Sequence, residues 1–158
     1  MLDAVLADSE RFSVPLPRPV EQLREIVWGH ADVLDAVDTP VLVHFDLWAG
    51  NILLHEGAIS GLVDAERAFW GDPLAEMVSV ALFGDIEQDP AFLDGYRAAG
   101  GSITFDEGTR TRLALYRCYL YLIKLVEGAP RGYAGPERRA MVKFITRHLN
   151  FALRALTP

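Results

Sequence analysis

The sequence predicts an α+β fold in which helices dominate, and three observations carry that prediction. Short runs of branched apolar residues are confined to positions 41–63, apolar residues recur at helical spacing after position 72, and helix-opening Asp-Pro pairs stand at 72–73 and 89–90. With 158 residues, 51% of them apolar and 23% charged, residues 1–158 are read as one domain with enough apolar matter for a core.

Each element follows from local signals. Pro15, Pro17 and Pro19 each fix φ and bias the preceding residue away from helix, so residues 1–19 are expected to form an extended N-terminal segment. Val20 to Val37 carries Leu23, Ile26, Val27, Val33, Leu34 and Val37 at helical spacing, interrupted by Gly29 and ended by Asp38-Thr39-Pro40. Val41-Leu42-Val43 is a short strand leading into the polar His44-Phe45-Asp46 and a turn at Ala49-Gly50. Residues 51–55 and 58–63 read as two strands joined at Glu56-Gly57, a hairpin. Asp72 caps and Pro73 starts a helix that buries Leu74, Met77, Val78 and Ala81; a second runs from Asp89-Pro90 to Gly100-Gly101. Between 109 and 126, one stripe holds Leu113, Tyr116, Leu120 and Ile123 and another Leu115, Tyr119, Leu122 and Val126. A helix apolar over most of its circumference sits inside a bundle. In the last helix, about 136–156, Met141, Ile145, Leu149, Ala152 and Leu156 are expected inward and Arg138, Arg139, Lys143 and Arg147 outward.

Charge and composition narrow the function. The chain has 22 acidic and 15 basic residues, a net charge of −7, which argues against nucleic-acid binding by phosphate neutralisation. Cys118 is the sole cysteine, so neither an intrachain disulfide nor a cysteine metal cluster is available. The first ten residues are acidic where a signal peptide needs positive charge, and no apolar run reaches the roughly 20 residues that span a bilayer. The expectation is a cytoplasmic protein without membrane contact.

Chemistry concentrates in His44-Phe45-Asp46-Leu47-Trp48-Ala49-Gly50-Asn51 and in Asp64, thirteen residues further on. An aspartate just past a short strand, with an asparagine five residues later, directs two oxygen-bearing groups into one pocket. A carboxylate at the end of a hairpin strand adds a hard ligand suited to Mg²⁺. Taken singly, each residue has a plainer reading: Asn51 as a turn residue, Asp64 as a strand-end cap, Asp72 as a helix cap. His44, His55 and Asp64 lack the usual spacing of a zinc site. Trp48 and Trp70 flank the motifs and are expected to pack in the core or at a pocket rim.

The pattern H-x-D-x-x-x-x-N, an Asp after a hydrophobic strand, and Gly71-Asp72-Pro73-Leu74-Ala75-Glu76 together resemble the aminoglycoside phosphotransferase family, kinase-like enzymes that phosphorylate small-molecule hydroxyls. Members often show H-G-D-x-x-x-x-N, so Phe45 departs from the usual glycine; the motifs cover about residues 41–76. The resemblance implies the C-terminal lobe of a protein-kinase-like fold. Asp46 would be the catalytic base on the acceptor hydroxyl, and Asn51 and Asp64 would bind Mg²⁺ that bridges the phosphates of the co-substrate ATP. His44 would brace the loop, and Asp72 would tie the following helix to it.

Such enzymes also need an N-terminal sheet with a Gly-rich loop and a strand lysine. The 43 residues before His44 hold one glycine, Gly29, and no lysine; the first lysine is Lys124. The expectation is therefore a truncated phosphotransferase that depends on a separate N-terminal lobe or a self-association partner, with a non-catalytic binding module as the alternative. Glu87, Asp89, Asp94, Asp106 and Glu107 put negative charge where a cationic substrate would be attracted, although such runs are usually solvated surface.

Overall fold

The computed structural model describes residues 1–157 and divides into two compact units, one built from Met1–Leu34 and the chain from Ala114 onward, the other from Asp35–Leu113. The first unit is helical. Its opening helix, α1 (Leu2–Arg11), corrects the expectation of an extended segment over 1–19. The prolines act only from Pro15 on; ahead of them Leu6 is fully buried, and the buried Ser9 hydroxyl donates to the Leu6 carbonyl, 2.6 Å away. After the prolines, α2 (Val20–Trp28) starts behind Pro19 and buries Leu23, while Arg24 pairs with Asp3 of α1 at 2.8 Å. Gly29 ends α2 as expected, and α3 (Ala31–Asp35) follows.

Within the second unit, β1 (Val41–Val43) pairs antiparallel with β4 (Phe69–Gly71), Val41 opposite Gly71 and Val43 opposite Phe69. The hairpin predicted at Glu56-Gly57 is present as β2 (Ile52–His55) and β3 (Ala58–Leu62), with a bulge between Leu53 and Leu54. Both turn residues have positive φ, 50° and 80°, as a tight hairpin turn requires. Helix α4 (Pro73–Val80) packs on β1 and buries Leu74, Ala75, Met77 and Val78. Asp72 caps it through Leu74 N–H at 2.9 Å, and Asp89 likewise caps α5 (Pro90–Ala98) through Phe92 N–H at 3.0 Å. Ala81, expected on the buried face of α4, lies at its C-terminal cap and is only half-buried.

Helix α6 (Glu107–Val126) begins in the second unit and continues into the first. Of the two predicted stripes, Leu113, Leu115, Leu120, Leu122 and Val126 are buried and Tyr116, Tyr119 and Ile123 half-buried; Leu125, outside both stripes, is buried as well. Cys118 lies among them, and burial pushes its thiol pKa up to about 12. Helix α7 (Gly135–Arg154) buries Ile145, Leu149, Ala152 and Leu153, but Met141 is exposed and Arg138 turns inward. The reason is the end of α6: the Arg138 guanidinium donates to the Lys124 and Leu125 carbonyls, acceptors left orphaned there. Among the described residues, no helix is long and apolar enough to cross a membrane.

Candidate active site

The candidate loop lies wholly in the second unit and is held through its backbone N–H groups by side-chain acceptors. Each N–H from residue 44 to 47 has an acceptor. Glu76 of α4 takes those of His44 and Phe45, at 2.6 and 3.3 Å; the ring Nδ1 of His44 takes that of Asp46 at 3.3 Å; the hydroxyl of Ser79 takes that of Leu47 at 3.2 Å. Ser79 in turn donates its proton to the Glu76 carboxylate. A helix capped by Asp72 thus presents one carboxylate and one hydroxyl, a turn apart, to a loop that would otherwise leave donors unmet.

Four hydrogen bonds then close a ring. Because His44 Nδ1 accepts from Asp46, its Nε2 is the donor to the Val63 carbonyl at 2.9 Å. Val63 N–H donates to the Asn51 carbonyl at 3.0 Å, and Asn51 Nδ2 donates to the Asp46 carbonyl at 2.9 Å. His44, Asp46 and Asn51 are therefore tied to the strand end that carries Asp64. Asn51 is buried, and its amide nitrogen is committed to this ring, so the end it offers to a ligand is the oxygen. Asp64 is exposed, with φ of 63°, and among the described residues its carboxylate meets no hydrogen-bond or ion-pair partner.

Phe45 explains why glycine is usual at its position in the resembled pattern. Its φ is 60°, left-handed backbone that a side chain adopts at a cost. Here the ring, 1% exposed, packs edge-on against Phe69 with centroids 5.4 Å apart, so burial compensates the strain. At Gly50 a Cβ would meet the exposed Trp48 ring, which would have to swing aside.

Two basic residues at the site escaped the sequence reading. Arg67 Nη1 lies 3.1 Å from Asp46 Oδ1, with both side chains largely buried, and Arg112 Nη1 lies 2.9 Å from Asp72 Oδ2. These pairs join positions 21 and 40 residues apart, which no local spacing reveals. Asp72 caps α4 as expected, but Glu76 and Ser79 make the hydrogen bonds from that helix to the loop. Trp48 and Trp70 are exposed rather than packed in a core. Among the described residues no group of three or more His, Cys, Asp or Glu is placed to hold a metal.

Residues 4–116 match the model of the phosphotransferase enzyme family, and the chain belongs to that family. A probable ketoamine kinase of Lactiplantibacillus plantarum is 33% identical over 86 residues, 54% of this chain and 29% of that protein. One of Enterococcus faecium is 31% identical over 87 residues, 55% of this chain and 29% of that protein. The match thus spans less than a third of these curated relatives. No solved structure matches the chain.

Proposed function

We propose that this chain contributes the acceptor side of a kinase that moves the γ-phosphoryl group of ATP to a hydroxyl of a small molecule. The observation that carries the reading is the closed hydrogen-bond ring, inside the family-matched segment, that ties Asp46 and Asn51 to the strand end bearing Asp64. In this reading Asp46 accepts the proton of the acceptor hydroxyl as its oxygen bonds to the γ-phosphorus and the bond to the leaving ADP oxygen breaks. Arg67 holds the Asp46 carboxylate in a fixed orientation, and His44 is a positioning residue that acts through the Asp46 N–H.

The Asn51 amide oxygen and the Asp64 carboxylate fit Mg²⁺ because both are hard oxygen donors, one committed by its other atom and the other unpartnered. A site with few protein carboxylates also suits an ion that keeps waters and takes substrate phosphates as ligands. When bound, Mg²⁺ neutralises charge on the transferring phosphates. The relatives' names make a ketoamine the first acceptor to try. The surfaces that grip ATP come, in this proposal, from polypeptide beyond these 158 residues. The exposed Leu42, Leu53, Leu54, Ile59, Leu62 and Trp70 of the two ribbons are apolar surface suited to being covered.

The test joins the chain to the ATP-binding portion of a family relative and measures turnover of ketoamine, alcohol and aminoglycoside acceptors. Asp46→Asn is expected to lower kcat by about 10²–10⁴-fold, and Asp64→Asn to raise the KM for Mg²⁺-ATP in the same turnover assay. Turnover by Asp46→Asn equal to wild type would leave the chain as a binding module.

A further inference from the structure

Helix α7 carries a charge pattern that the proposed phosphoryl transfer does not use. From Arg138 to Arg154 it holds five basic residues and no acidic one, in a chain of net charge −7. Several arginines elsewhere meet carboxylates, among them Arg24 with Asp3, Arg97 with Asp94, Arg110 with Glu87 and Arg112 with Asp72, although Arg11 and Arg18 meet none among the described residues. Lys143, Arg147 and Arg154 meet none among the described residues. With Thr146, Asn150 and Phe151 they line an open groove of about 560 Å³, within the size range of small-molecule sites.

Helix electrostatics do not account for the pattern. The macrodipole favours a cation in the last turn, where Arg154 stands, but its effect has decayed at Lys143 and Arg147 in mid-helix. Those two are one turn apart, and like charges at that spacing destabilise a helix. The broad apolar face of α7, formed by Ile145, Leu149, Ala152 and Leu153, is buried in its own unit and so is not offered to a bilayer. A chain of net charge −7 is also repelled at long range by an anionic membrane, whereas a compact anion within a Debye length feels the local cations. Phe151 is 72% exposed and gives the groove one bare aromatic face. Lys143 and Arg154 are separated by about 16 Å of helix axis, a span that a nucleoside polyphosphate matches once the long side chains reach inward.

We propose that the α7 groove is a binding site for a soluble polyphosphate ligand carrying a planar group, its phosphates on Lys143, Arg147 and Arg154 and its ring on Phe151. Thr146 and Asn150 supply hydrogen bonds between them. The proposal does not rest on the Asp46 chemistry.

Calorimetry on the whole chain without Mg²⁺, with inorganic tripolyphosphate as probe, tests the assignment. The Lys143→Gln/Arg147→Gln variant is expected to bind at least tenfold more weakly than wild type, and Asp64→Asn within twofold of it. Phe151→Ala is expected to weaken ATP binding several-fold while leaving tripolyphosphate binding unchanged. Should the double variant fail to fold, protection of wild-type Lys143 from acylation by tripolyphosphate, read by mass spectrometry, replaces it. Equal binding by wild type and double variant, absence of protection, binding that disappears in Asp64→Asn, or binding only to phosphatidylglycerol vesicles would each overturn the proposal.

Discussion

The segment from His44 to Asp64 and the helical body around α6 and α7 are held by different forces. In the helical body Leu120, Leu122, Leu125, Leu149 and Leu153 are all essentially inaccessible, and removal of apolar surface from water does the work. In the loop only Phe45 is fully buried; a hydrogen-bond ring, Glu76 and Ser79 fix the rest. Three residues of this segment, Phe45, Glu56 and Asp64, also sit in left-handed backbone, at a cost of order 1–3 kcal/mol each. Burial is non-directional and can seat a helix without fixing any one atom. In the proposed reaction a carboxylate must meet a hydroxyl, which needs directional bonds, and the loop is where such bonds concentrate.

This contrast can be broken by experiment. The largest stability loss is expected from Asp72→Ala, about 3–5 kcal/mol, because it strands Arg112 and uncaps the helix that supports the loop. Chemical denaturation measures it, and phosphotransfer by the fused protein should fall in the remaining folded fraction as well. Leu149→Ala is expected to cost about 2–5 kcal/mol through cavity formation, with turnover per folded molecule unchanged. If Leu149→Ala lowered turnover per folded molecule as much as Asp72→Ala did, the division of labour between the regions would be wrong. A finer comparison uses Phe45. Both Phe45→Ala and Phe45→Gly lose the buried ring, but glycine regains backbone freedom at a φ of 60°, so Phe45→Gly should be the more stable of the two by about 1 kcal/mol. Alanine ahead of glycine in thermal melts would show that the loop's backbone carries no strain.

Much of the architecture was legible because local rules are strong where they apply. Asp72-Pro73 and Asp89-Pro90 announced their helices, Glu56-Gly57 its hairpin, and the double stripe of residues 113–126 a buried helix. The opening helix was missed because three alternate prolines were allowed to speak for residues they do not touch; α1 ends four residues before Pro15. Strand β4 was missed because three residues, Phe69-Trp70-Gly71, are too few to show a period, and pairing with β1 defines them. Of the site, the sequence pointed to His44, Asp46, Asn51 and Asp64, and the backbone ring links the first three to the strand end carrying the fourth. Arg67 and Arg112 were invisible because an ion pair closed over 21 or 40 residues leaves no spacing signal.

The bond from Val63 N–H to the Asn51 carbonyl has a consequence for what the molecule tolerates. It clamps the hairpin at its root, so the exposed tip at Glu56-Gly57 is an appendage whose length is decoupled from the loop at 44–51. Extra residues, a fluorophore or an affinity handle grafted there would ride on the outside of the clamp, leaving Asp46 and Asn51 where they stand.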